Sequence, residues 1–514
     1  MKELELKIEV TPSAAERLAQ SPAVLRFGEG AAVEIPLRTL YLDTPDLALA
    51  ARSIALRLRH DGTGWIQSVK AQQQLSGGMM EAVEDERPLI GPTPDLDAIA
   101  EPQIRAEITQ TLADATPVPA FETRFTRRAR RLALPNLGTV ELAIDQGEIC
   151  AGDRSEPISE VEIELVAGNP RAVFEVARLL FPDGGVLLAR NSKADRGAQL
   201  ARGETLAAGP RMARPIALAR TQTTEAAARA VIAECLDQIS ANIAAVLQSP
   251  DPEGPHQLRV GLRRLRSALL AFKTPLESPE LGRLDSEARW LALQAGRLRD
   301  LDVARDEIVT PLAAQMPEEP GFGALLDALE VHRAAASAQL TETLSGRRAW
   351  TFLLDLGAFA AARGWLDPAD WDQTARLAQP VDATAAAALE VRAAKALKRG
   401  TGIAALSIDA RHDLRKELKK LRYCVEFFSG LFQEKAARAY VKRLKELQAI
   451  FGDLQDAAMA EALFRAPDGP AAGDVGAARA AGIAIGVRTE RAERAWKDAK
   501  TLWQAFRSAP RFWS

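Results

Sequence analysis

Two stretches of the chain, 156 residues apart, repeat one another, and this duplication restricts the possible fold more than any other feature. His256, Leu258, Arg259, Leu262, Arg263, Leu265 and Arg266 recur as His412, Leu414, Arg415, Leu418, Lys419, Leu421 and Arg422. Further on, Gly296, Leu298 and Asp300 recur as Gly452, Leu454 and Asp456, at the same offset. Apolar residues spaced three and four apart dominate from about residue 223, the signature of amphipathic helices packed by one face. A self-similar helical half with one shared offset is a duplicated helical bundle. Its copies are expected at about 223–370 and 380–510.

The first two hundred residues follow another rule. Ala55–Arg59, Trp65–Lys70, Thr139–Ile144 and Ile158–Leu165 alternate polar and apolar side chains, as strands with two unlike faces do. Pro12–Gln20 and Pro170–Leu180 read as helices, while Asp61-Gly62 and Gln146-Gly147 carry turn chemistry. Residues 203–222, with Gly209-Pro210 and Pro215, read as a linker. The domains expected are therefore 1–202, a linker over 203–222, and 223–510.

Charge is divided between these halves. Residues 1–210 carry a net charge of -8 and the remainder +5, within a total of -3. An acidic front suits cations and a basic rear suits a polyanion. Cys150, Cys235 and Cys424 are far apart and lack metal-ligand spacing, which fits buried thiols in a reducing compartment. No uninterrupted apolar run of 18 residues marks a membrane span, and the charged N-terminus lacks a signal-peptide core, so a cytoplasmic protein is expected.

On a strand, alternate residues share a face. Glu3, Glu5 and Lys7 project together; so do Arg57 with Arg59, Glu84 with Glu86, and Glu160, Glu162 with Glu164. Rows of like charge repel unless opposite charges meet them. Rolling the sheet into a barrel with its charged faces inward brings the acidic and basic rows together and turns the apolar faces toward helices. Carboxylates bind hard divalent cations, and guanidinium and ammonium groups bind phosphate oxygens, so such a lumen suits a metal-bound polyphosphate.

These motifs resemble the CYTH superfamily, the triphosphate tunnel metalloenzymes. The resemblance runs from Glu3, Glu5 and Lys7 through Tyr41-Leu42-Asp43-Thr44, Arg57, Arg59, Lys70, Thr123, Phe125 and Arg127. It continues with Asp145-Gln146-Gly147, then Glu160, Glu162 and Glu164, and closes on Ser192, Lys193, Ala194, Arg196 and Gly197. It implies an α+β domain built on an eight-stranded antiparallel β-barrel tunnel with flanking helices. It also implies a metal site of Glu3, Glu5, Glu162 and Glu164 for Mg2+ or Mn2+, and triphosphate contacts from Lys7, Arg57, Arg59, Lys70, Arg127 and Lys193. Glu5, Lys7 and Glu84 are the residues implied for catalysis, with Glu5 or Glu84 orienting the attacking water. One departure stands out: where the family pattern has an arginine two residues before a glutamate, this chain has Ala82 before Glu84.

The helical half resembles the CHAD domain, which implies an all-α region of two pseudo-symmetric four-helix bundles with a basic groove for inorganic polyphosphate. His256, Arg259, Arg263 and Arg266 form one helical stripe, and His412, Arg415, Lys416, Lys419 and Arg422 form its copy. Tyr423 is the lone aromatic residue within the motifs, so base stacking, and with it nucleic-acid binding, is not expected. Asp300 and Asp456 are expected to pair with basic side chains or cap helices.

The function expected is metal-dependent hydrolysis of inorganic triphosphate in the tunnel, with polyphosphate binding by the helical half and an association with polyphosphate granules. A non-catalytic polyphosphate binder is the alternative, as is a thiamine triphosphatase or adenylate cyclase. No membrane and no obligate protein partner enter this reading.

Overall fold

The computed structural model describes residues 2–205 and 209–513, apart from the side chains of Lys2, Glu3 and Gln72. The chain forms two compact units. The first holds residues 1–209 with 236–249 and 345–364; the second holds 210–235, 250–344 and 365–514.

The first unit is a closed barrel. Its strands are β1 (Lys2–Glu9), β2 (Gly28–Asp43), β3 (Ala55–His60), β4 (Trp65–Ser76), β5 (Met79–Leu89), β6 (Val118–Leu134), β7 (Gly138–Ala151) and β8 (Arg154–Gly168). Hydrogen bonding runs β1-β5-β4-β3-β2-β6-β7-β8 and returns to β1, antiparallel throughout. A two-residue strand, β9 (Leu187–Leu188), pairs with the end of β1. Closure leaves none of the eight strands as a long unpaired edge.

The apolar faces point outward and are covered, as the alternation requires. Leu42, Leu56, Leu58 and Val69 pack with Ile104, Ile108 and Leu112 of helix Pro102–Leu112, which the sequence reading did not foresee. Val173, Phe174, Val176 and Ala177 make helix Arg171–Leu180 apolar on the side it buries. Helix Lys193–Arg202 lies against Phe121, Ile149 and Ile158 through Ala198 and Leu200. Its Gly197 is needed there, since a Cβ would stand 2.0 Å from the Phe121 ring.

Gln146-Gly147, read above as a turn, is instead the middle of β7. Phe125 of β6 pairs with Gly147, and a Cβ on it would lie 2.1 Å from the Arg124 carbonyl oxygen. The glycine serves close strand approach rather than reversal. The reversals on either side fall between Leu134 and Gly138 and between Ala151 and Arg154.

The second unit is helical. The two repeated stripes lie on helices Glu253–Ala271 and Ile408–Phe428, which pack on each other through contacts such as Phe272 on Phe428 (5.5 Å between ring centres). Helix Pro279–Asp302 packs on the first, and helices Val381–Arg399 and Glu434–Phe464 on the second. A separate apolar cluster joins Leu301, Ile308, Phe322 and Leu329 to Met459, Phe464 and Ala480. Among the described residues one helix, Thr224–Gln248, is long and apolar enough to cross a membrane, and 67% of that apolar window is buried inside the protein.

Candidate active site and polyanion groove

The barrel encloses a cavity of about 260 Å³ lined from every strand that carried a charged row. Glu5 and Lys7 enter from β1, Arg57 and Arg59 from β3, Lys70 from β4, and Glu84 and Glu86 from β5. Arg127 enters from β6, Glu141 from β7, Glu162 and Glu164 from β8, and Lys193 from the helix that follows. Every expected tunnel residue whose side chain is described lines this one space; the Glu3 side chain lies outside the described residues.

The lining divides into two chemical regions. In one, cations and carboxylates are fully matched. Lys193 Nζ is 2.7 Å from Asp145 Oδ2 and 2.9 Å from Glu162 Oε1, and also binds Glu160. Arg127 grips Asp145 through both nitrogens, Nε at 2.8 Å and Nη2 at 2.7 Å, and reaches Glu162 as well. Lys7 donates to Glu162. Burial alone would raise the Glu162 carboxyl's pKa, but Lys193, Lys7 and Arg127 hold it well below the ordinary carboxylate value. Burial would likewise lower the Lys7 ammonium, yet Glu162 and Glu5 raise it well above the usual lysine value.

The helix that delivers Lys193 is fixed at its start. Ser192 Oγ accepts from the Asp195 amide at 3.1 Å, and Asp195 Oδ2 accepts from the Ser192 amide at 2.9 Å, a reciprocal capping box. Lys193 is the first residue inside it, so its stem leaves the helix pointing into the barrel.

The other region is unbalanced. Arg57 Nη2 donates to Glu84 Oε1 at 2.6 Å, and the Ser68 hydroxyl donates to the same oxygen at 2.8 Å. Lys70 Nζ is 3.4 Å from Glu84 Oε2. Arg59 stands only 3.6 Å from Glu86, and the neighbouring Arg57 together with burial pushes its pKa down. Glu164 has its carboxyl raised to about 6 by burial and by Glu5, with Glu141 and Glu84 adding to this against Lys70. Glu5 is 3% exposed, and its Oε1 has no hydrogen-bond donor. Lys7 Nζ comes within 2.8 Å of that oxygen, but out of line for a hydrogen bond.

Sequence reasoning missed Asp145 as an ion-pair partner, and it missed Glu141 and Tyr41 as lining residues. Glu141 sits four residues before Asp145 on the same strand face, a signal visible in the period-2 pattern. Ala82 is buried in β5 on the face that carries Glu84, and Arg87 lies on the opposite face beside Asp85 (3.7 Å), so it does not replace the missing arginine.

In the helical unit both stripes open onto a single groove of about 990 Å³. Arg259, Arg263, Arg266, His412, Arg415, Lys416 and Lys419 line it; His256 and Arg422 do not. Arg422 pairs with Glu426 (3.3 Å) and lies over the Tyr423 ring. Burial and Arg299 lower the pKa of His256. Arg289 and Arg297, from helix Pro279–Asp302, are added to the groove without having been foreseen.

Most of these cations have partners: Arg259 with Asp300 at 2.7 Å, Arg266 with Asp285 at 2.9 Å, Arg415 with Gln455 at 3.0 Å. The first pairing meets the expectation for Asp300. In the copy, the partner of Arg415 is the neighbour of Asp456 instead. Arg263 and Lys419 have no carboxylate within 4 Å among the described residues, and they are equivalents in the duplication. Burial and neighbouring arginines of both stripes lower the two, Arg259 and Arg415 acting on Arg263 to bring it to about 10, and Arg263 and Arg415 acting on Lys419 to bring it to about 6.

Comparison with known proteins decides the family. Residues 1–198 match the CYTH domain and residues 230–465 the CHAD domain. The chain is a CYTH domain followed by a CHAD domain. The CYTH part is similar to an inorganic triphosphatase of Haemophilus influenzae, 30% identical over 198 residues, which are 38% of this chain. The match spans about half the length of that relative, 54%. Among solved structures, the CHAD domain of the plant Ricinus communis is 27% identical, covering 59% of this chain and 99% of its own, with a TM-score of 0.49. A Hippeastrum protein described as an adenylyl cyclase with a dominant triphosphatase activity is 20% identical, covering 40% of this chain and 97% of its own, with a TM-score of 0.26.

Proposed function

We propose that the CYTH tunnel hydrolyses inorganic triphosphate with Mg2+ or Mn2+ and that the CHAD groove binds inorganic polyphosphate. The observation that carries the first part is the cavity itself, where six cationic side chains and an under-neutralised set of carboxylates meet in one enclosed space. Arg57, Arg59, Lys70, Arg127, Lys193 and Lys7 provide donors for a chain of phosphates, and the two arginines of β3 relieve their mutual repulsion by binding it.

The donor set fits a hard divalent cation. Glu5 presents a buried oxygen that lacks a donor, and Glu164 is poorly neutralised. Such an ion, held by Glu5 and Glu164, would supply charge neutralisation and polarise the terminal phosphoryl group. Glu162, already bound to Lys7, Arg127 and Lys193, orients those cations toward the phosphates. Glu84 is likewise engaged by Arg57 and Ser68, which leaves Glu5 as the better group to orient an attacking water. Water attacks the terminal phosphorus and the bridging P–O bond breaks; one water proton stays with the orthophosphate, the other passes to the diphosphate, and the departing diphosphate oxygen is met by the lysines and arginines.

A phosphate-release assay across triphosphate, long polyphosphate, ATP and thiamine triphosphate, with each metal, tests this reading. Release from triphosphate, lost in Glu5→Ala, is expected; no release with any divalent metal sinks it. Ala82 favours one second reading, a tunnel that binds triphosphate without cleaving it. That reading predicts saturable binding and no phosphate release.

A further inference from the structure

We infer that Glu141 is a third carboxylate of the cation site in the tunnel, joined to Glu5 and Glu164, an inference that rests on the metal-dependent reading above. Strand register carries it. Glu141 of β7 is directly opposite Glu164 of β8, and Glu164 is directly opposite Glu5 of β1. Three carboxylates therefore stand in one row across three adjacent strands, all lining the same cavity. Opposed side chains in such a row have Cβ atoms about 5 Å apart, where like charges destabilise the sheet.

Among the described residues this row is compensated far less than the next, Glu5 alone of the three having a cation within 4 Å. Asp145, Glu160 and Glu162 are, among the described residues, the trio whose oxygens already lie within 4.8 Å of one another, but Lys193 Nζ stands among them. Glu5, Glu141 and Glu164 instead share a row by register and would turn their carboxylates together around an ion. A metal at the Asp145 trio would have to expel a buried ammonium. No lysine or arginine of the described residues comes within 4 Å of the Glu141 or Glu164 carboxylates. Arg131, opposite Glu141 on β6, is exposed and forms no ion pair with it. Only Glu5 is approached, by Lys7 at 2.8 Å and Lys70 at 3.9 Å, and its buried Oε1 still lacks a hydrogen-bond donor. An oxygen-ligated divalent cation satisfies all three carboxylates at once. Glu141 thereby acts as a positioning residue, holding the ion on the β7 side of the lumen, away from the paired lysines.

The test is a titration of the full-length protein with Mn2+, read by the loss of the free-ion electron paramagnetic resonance signal, without substrate. Glu141→Gln is expected to weaken binding at least tenfold, Glu164→Gln to do the same, and Glu141→Asp to restore affinity to within about threefold. Thermal melting of each variant in chelator checks the fold, and neither Gln variant should melt lower than the parent, since each removes a repulsion. Glu141→Gln within twofold of the parent, with Glu164→Gln weakened, overturns the role of Glu141 and leaves the metal reading standing. A parent protein that binds no Mn2+, with or without triphosphate, overturns both.

Discussion

The tunnel and the groove are both lined by arginine and lysine, yet they treat charge in opposite ways. In the tunnel, buried cations are locked to buried carboxylates: Lys193 alone touches three. In the groove, Arg263 and Lys419 line one space with no carboxylate within 4 Å of either among the described residues. The contrast follows from enclosure. A charge sealed from water costs several kcal/mol if unpaired, on the order of 3–5 when one partner of a buried pair is removed. An open groove keeps water within reach and tolerates repulsion that a bound polyanion would relieve. The tunnel is thus balanced before its ligand arrives, apart from the carboxylate row, while the groove is left incomplete.

The sharpest way to break this comparison is to remove one cation from each site. Lys7→Ala should lower triphosphate turnover about a thousandfold, the scale of losing one preorganised charge contact in the transition state. Polyphosphate affinity of the groove should stay within twofold, as measured by equilibrium binding on the same preparation. Next in size, Lys193→Met should lower stability toward urea by about 3–5 kcal/mol, because three carboxylates lose their shared cation. Adding Glu160→Gln should recover part of that loss. If Lys193→Met unfolds at the parent's urea midpoint, the balanced description of the tunnel is wrong.

The groove should respond with the opposite sign. Arg263→Ala with Lys419→Ala should weaken polyphosphate binding at least tenfold and reduce the slope of log affinity against log salt by about two, one unit for each phosphate no longer neutralised. The same double variant should melt no lower than the parent, since it removes a repulsion. A lower melting temperature would show that the pair supports the fold.

The smallest effect is a pH dependence. Lys419 titrates near 6 in the free groove, and bound phosphates raise that value, so binding takes up a proton above pH 6. Polyphosphate affinity should therefore fall as pH rises from about 6 to 9, and Lys419→Arg should flatten this dependence in a binding series at constant ionic strength.

Much of this was legible in the sequence because period-2 alternation assigns side chains to faces from the order of residues alone. Glu5, Lys7, Arg57, Arg59, Lys70, Arg127, Glu162, Glu164 and Lys193 all reach the lumen, the strand residues among them by that rule. What alternation cannot supply is register. Glu5, Glu141 and Glu164 become neighbours only through pairings between strands, one of them joining opposite ends of the domain. Gly147 was misread for a related reason: glycine marks both turns and close strand approaches, and local sequence does not distinguish them. Helix Pro102–Leu112 escaped notice although Ile104, Ile108 and Leu112 mark its buried side, being short and set between strands. In the helical half the duplication identified both stripes, but pairing with Asp285, Asp300 and Gln455 decides which cations remain available, and that depends on neighbouring helices.

The capping box before Lys193 makes the first turn of its helix and the tunnel's charge a single cooperative element. Fraying that turn would draw the ammonium outward and leave Asp145, Glu160 and Glu162 facing one another. Amide hydrogens of residues 195–197 should therefore exchange with solvent only on wider opening of the barrel, so that a surface turn reports on the integrity of the chamber behind it.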